Sequence, residues 1–97
     1  MSKDIIREHA RLIILRALIE QPNMALNDAL LQATLETFGI AHSREWVREE
    51  LRRMADLGAV TLTEAGTVTV ATATSKGADH VERRVVIEGI KRPSPGE

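Results

Sequence analysis

The sequence predicts an α+β domain: three helices, a two-stranded β-hairpin and a further helix. Three observations predict it. Residues 43–58 carry both a start and a stop signal for one amphipathic helix, a shorter helix and a tight connection precede them, and the period of apolar residues then changes from helical to two. Helix, helix, helix, hairpin is the order of a winged helix-turn-helix, with residues 43–58 in the position that reads DNA.

The organising stretch is Ser-Arg-Glu-Trp-Val-Arg-Glu-Glu-Leu-Arg-Arg-Met-Ala-Asp-Leu-Gly. Ser43 suits the N-cap, Glu45 the first turn and Gly58 a left-handed end. At 100° per residue Trp46, Val47, Leu51, Met54, Ala55 and Leu57 share one arc, and Arg48, Glu49, Arg52, Arg53 and Asp56 point away from it. Glu50 alone among the charges projects into the apolar arc, where it requires a cation or a partner chain.

The first helix spans Lys3 to about Glu20 and is ended by Pro22. It carries two apolar stripes, Ile6-Ala10-Ile13-Ile14-Ala17-Leu18 and Ile5-Leu12-Leu15-Ile19. One stripe is enough for a surface helix, so Ile5, Leu12, Leu15 and Ile19 are expected to form a homodimer interface. Residues 21–26 read as a connection. Asn27 can cap a second helix that Gly39 stops, with Leu30, Leu31, Thr34, Leu35 and Phe38 inward and Asp28, Gln32 and Glu36 outward.

Past Gly58, Val60 and Leu62 alternate with threonines, as do Val68 and Val70, around an Ala65-Gly66 turn. Thr74 or Ser75 caps a last helix to about Arg84, with Ala78, Val81 and Val85 inward. Val85 to Ile90 reads as extended, and the proline-broken end as a mobile tail unless a partner holds it. The expected organisation is a domain over 1–84 and an extended segment and tail over 85–97. The expected core is Ile6, Ile13, Ala17, Leu30, Leu31, Leu35, Phe38, Val47, Leu51, Met54, Val60, Leu62 and Val70.

Composition narrows the function. The 97 residues, 43% hydrophobic and 28% charged, form one domain with a modest core. With no cysteine, disulfides, thiolate metal sites and cysteine nucleophiles are excluded. No apolar run approaches a membrane span and no signal peptide opens the chain, so a cytoplasmic protein without a membrane partner is expected. Ser43 and Ser75 sit at caps, and neither a nucleophile elbow nor a phosphate loop occurs; no catalytic residue is assigned and no enzyme expected. His9, His42 and His80 lie on separate elements, and Asp79 with Glu82 offers only two oxygens, so neither a metal nor a cofactor is assigned.

The element order, the Ser-x-x-x-Val-x-x-x-Leu-x-x-Met-x-x-x-Gly of residues 43–58 and the Thr-x-Lys-Gly of residues 74–77 resemble ArsR- and MarR-type winged-helix regulators. Length and the closing Gly-Ile-Lys-Arg-Pro further resemble a small winged-helix family of Mu-like transposable phages and prophages. The resemblance implies a fold more than a function, and the metal sensing of ArsR-type proteins does not carry over to a chain without cysteine.

Two functions remain open. Arg44, Arg48 and Arg52, with Ser43 at the helix start, form a basic stripe able to contact DNA, which implies a homodimeric transcriptional regulator. The same arginines can instead pair along the helix with Glu45 and Glu49. A net charge of -1, an acidic second helix and a hairpin tip without cations point to a non-enzymatic interaction module that binds a phage or host protein. The usual work of the fold places DNA first.

Overall fold

The computed structural model describes residues 2–95, with side chains from residue 4 onward. Its elements are α1 (Ser2–Ile19), β1 (Ala25–Asn27), α2 (Asp28–Thr37), α3 (Arg44–Asp56), β2 (Val60–Ala65), β3 (Val68–Ala73) and α4 (Ser75–Val81). The strands form an antiparallel sheet in the order β1-β3-β2. Four helices on a three-stranded antiparallel sheet make an α+β arrangement compatible with a winged helix.

Local chemistry sets the helix boundaries. Asn27 Oδ1 accepts the Leu30 N–H at 2.9 Å, Ser43 Oγ accepts the Trp46 N–H at 3.0 Å, and Thr74 Oγ1 accepts the Gly77 N–H at 3.1 Å. At the other ends, α2 and α3 close in the same doubly bonded turn: Ile40 N–H to Leu35 O and Gly39 N–H to Glu36 O, then Ala59 N–H to Met54 O and Gly58 N–H to Ala55 O. That turn needs a left-handed residue just past the helix, supplied by Gly39 at φ 84° and Gly58 at φ 81°.

Thr-x-Lys-Gly is a clasp between α4 and the end of α3. Thr74 Oγ1 donates to Gly58 O at 2.7 Å, and Lys76 Nζ donates to Leu57 O at 3.0 Å, a cation on orphan carbonyls. Gly77 allows the close approach, because a Cβ there would stand 2.3 Å from Ala59 O and 3.0 Å from Leu15 Cδ2.

The core gathers Leu12, Ile14, Leu15 and Leu18 of α1, Leu31 and Leu35 of α2, and Val47, Leu51 and Met54 of α3, together with Val60, Ala71, Ile87 and Ile90. It differs from expectation in three ways. First, Leu12 and Leu15, expected at a dimer interface, are buried within the chain, and Ile19 packs against the same core; of that set only Ile5 is exposed. The covering elements are α4 and the segment behind it, which returns to α1 through Lys91 N–H to Glu8 O and Arg11 Nη1 to Gly89 O. That segment turns at residues 87–90, with Ile90 N–H bonded to Ile87 O, where an extended run was expected. Its two isoleucines occupy the place assigned to a second copy.

Second, Ile6, Leu30 and Phe38 are exposed by 48%, 52% and 64%, not core. Third, β3 turns Thr69, Ala71 and Ala73 inward, leaving Val70 half-buried. The pairing Val60↔Ala73 and Leu62↔Ala71 puts those small residues on the same face as Val60. On its other edge β3 pairs with β1, a strand that takes in the last two residues of the stretch expected as a connection and the capping Asn27.

Candidate interaction surfaces

The arginine stripe of α3 is bound within the chain. Asp28, at the start of α2, is completely buried. Its Oδ1 accepts from Arg44 Nη2 at 3.2 Å and from the Ala29 N–H at 3.0 Å, and its Oδ2 accepts from Arg48 Nε at 2.5 Å. Both guanidiniums also donate to Thr67 O, from Arg44 Nη2 at 2.9 Å and Arg48 Nη2 at 2.7 Å. Two arginines one turn apart therefore fasten α3 to α2 and to the β2–β3 turn. Burial alone would raise the Asp28 carboxyl, but hydrogen bonds from Arg48, Arg44 and the Thr69 backbone outweigh it and hold the group below its ordinary value. The Asp28 carboxylate in turn raises Arg48 above its ordinary value.

The rest of the stripe is less constrained. Arg52 Nη2 reaches Glu45 at 3.1 Å, both ends exposed, a contact of small energetic weight. The Ser43 hydroxyl is engaged as the cap. In place of the expected pairs Glu45–Arg48, Glu49–Arg52 and Glu49–Arg53, Arg52 meets Glu45 seven residues away on α3, and Arg44 and Arg48 meet Asp28 across the helices. The buried acid that claims Arg44 and Arg48 was read as an outward residue, since one helix's periodicity does not show where a neighbouring helix crosses.

A second buried carboxylate faces α1. Glu50 accepts from Arg7 Nη1 and Arg11 Nε, each at 2.7 Å, and Arg11 Nη1 continues to Gly89 O at 2.7 Å. Arg7 also lies over the Trp46 ring, 5.5 Å from its centroid, and the ring stacks on His42 at 4.0 Å. Glu50 thus meets a cation of its own chain.

The described residues also form clefts with apolar lining. Between α1 and α2 lies a cleft of about 160 Å³ lined by His9, Ile13, Arg16, Ala17, Glu20, Thr34 and Phe38, continued along the same helix faces by exposed Ile6 and Leu30. Behind α4 lies a groove of about 200 Å³ lined by His80, Arg83, Val85, Val86, Arg92, Pro93 and Pro95.

The histidine beside that groove is structural. His80 Nδ1 accepts the Ile87 N–H at 3.1 Å, so the proton lies on Nε2, which donates to Lys91 O at 2.9 Å. Among the described residues no three His, Asp or Glu side chains converge as a metal-ligand set, and no helix is long and apolar enough to cross a membrane.

No family model matches the chain, and no solved structure matches it. One curated relative does: the uncharacterized protein gp26 of Escherichia phage Mu, 39% identical over 95 residues, with 98% of each chain covered. At that identity over nearly the whole of both chains, this protein belongs to the family of the phage Mu protein gp26.

Proposed function

We propose that the protein is a non-enzymatic winged-helix interaction module of a phage, working in the host cytoplasm and binding protein partners, its own second copy among them. One observation carries this reading. Arg44 and Arg48, the residues a DNA-reading α3 would present, are held by buried Asp28 and by Thr67 O. Freeing them for phosphates or base edges leaves a buried carboxylate without its partners, which is costly. The hairpin turn offers no cation, and the net charge is -1.

The cleft between α1 and α2 supports the other half of the reading. Ile6, Leu30 and Phe38 form an apolar strip of the kind that partners cover. A DNA-binding, homodimeric regulator is the second reading, supported by the helix order and by Arg52 and Arg53 on the open side of α3.

Fluorescence anisotropy on random-sequence duplex DNA, beside light scattering over a concentration series, separates the two. The interaction reading expects no duplex binding through α3 and self-association lost in Phe38→Asp. Tight duplex binding weakened by Arg52→Ala and Arg53→Ala would overturn it.

A further inference from the structure

The third helix end that closes like α2 and α3 belongs to α4, and it breaks the pattern in one residue. Arg84 N–H bonds to Asp79 O at 2.8 Å and Arg83 N–H to His80 O at 3.1 Å, the same doubly bonded turn. The left-handed position, glycine in the other two, is here Arg83 at φ 65°. An L side chain there is strained, and such strain concentrates where a side chain has a task. Packing within the chain does not provide one. Neighbouring Arg84 sits with Asp79 and Glu82, whereas the Arg83 guanidinium has no hydrogen bond or ion pair among the described residues.

Arg83 lines the groove behind α4, and Arg92, also without an ion pair among the described residues, lines it too. Exposed Val85 and Val86 and two prolines supply the apolar lining, and among the described residues no carboxylate contributes. The groove has room for one large apolar side chain and flanks it with two guanidiniums that have no carboxylate partner among the described residues and whose planar forks match carboxylates. Nucleic acid fits less well: apart from the His80 ring, which is tied on both nitrogens, no aromatic side chain lines the groove for a base to stack on.

We propose that this groove docks an acidic segment of a partner protein, with an apolar side chain in the pocket and carboxylates on Arg83 and Arg92. The proposal rests on the interaction-module reading but uses a different surface from the cleft between α1 and α2.

The test pans a displayed library of random dodecapeptides on the full chain, then measures the enriched peptides against Arg83→Gly and Arg92→Gln. Glycine suits the left-handed position, so Arg83→Gly should melt no lower than the wild type, which keeps a loss of binding from being a loss of fold. The expected peptides carry an apolar residue flanked by Asp or Glu, and each variant should weaken them about tenfold, the scale of one charge-assisted contact. Failure to enrich acidic peptides, or affinity unchanged in both variants, overturns the proposal. So does a random-sequence duplex that outcompetes the peptides and is weakened by Arg83→Gly. Failure of the interaction-module reading would look different, as duplex binding weakened by Arg52→Ala and Arg53→Ala but indifferent to Arg83→Gly.

Discussion

Asp28→Asn removes one charge from a buried site and leaves its shape almost unchanged. The lost interactions are those from Arg44 Nη2 at 3.2 Å and Arg48 Nε at 2.5 Å to the carboxylate. Hydrogen bonds to charged groups contribute about 1.5–3 kcal/mol each when buried. Both arginines reach solvent along part of their length, and the asparagine carbonyl still accepts one bond, so the expected cost is about 2–4 kcal/mol in total. In a domain of this size that lowers the melting temperature by about 10 °C or more. Urea unfolding followed by the fluorescence of Trp46, half-buried on α3, reads it directly. Acid adds a second signature. The folded carboxyl titrates below its unfolded value, so its contribution is present above an unfolded pKa of about 3.9 and is lost as pH falls through the lower folded value. The gap between wild type and variant should therefore be full at neutral pH and shrink below about pH 4. A cost under about 0.5 kcal/mol, the range of ordinary surface substitutions, or a gap independent of pH would refute the reasoning.

Leu15→Glu should unfold the domain and not release a folded monomer, because Leu15 is fully buried against its own chain; a folded, monomeric variant by circular dichroism and light scattering would contradict this. Gly77→Ala should destabilise by about 1–3 kcal/mol in urea unfolding, since the backbone clash at Ala59 O outweighs the roughly 1 kcal/mol that alanine gains over glycine in a helix. A stabilised variant would show that α4 can retreat. Phe38→Asp, at an exposed position, should leave unfolding within about 0.5 kcal/mol of the wild type while abolishing self-association; a collapse of stability would place Phe38 in the core after all.

Where one element's own chemistry decides, the sequence was legible. Asn27, Ser43 and Thr74 cap the helices they were expected to cap, and Gly39 and Gly58 stop theirs, because these interactions close within a few residues. The buried faces of α3 and of β2 followed from periodicity in the same way, whereas β3 turned its alanines and Thr69 inward in place of its valines. What the sequence concealed depends on long-range packing. Leu12 and Leu15 look unpartnered until the segment after α4 turns at Ile87 and Ile90 and comes back to α1. Phe38 has the right period for the core but is the C-cap of α2, where it opens onto the cleft beside α1 and stays exposed. Arg44, Arg48 and Asp28 are 16 and 20 residues apart, and nothing local announces that they meet. One signal was available: Asp28 and Glu50 are acids on the two helices that face the arginine-bearing elements, and a Glu inside an apolar arc requires a cation.

Whether α3 can read DNA is decided by the competition between Asp28 and a phosphate for Arg44 and Arg48. Fluorescence anisotropy of a random-sequence duplex, at two salt concentrations, against wild type and Asp28→Asn is the decisive measurement. Weak or absent binding is expected of the wild type and, in the folded variant, increased affinity with a steeper salt dependence, since two guanidiniums are released and one negative charge is lost. Strong, salt-dependent binding by the wild type that Asp28→Asn leaves unchanged or weakens would contradict this expectation, and would make α3 a DNA-reading helix as it stands.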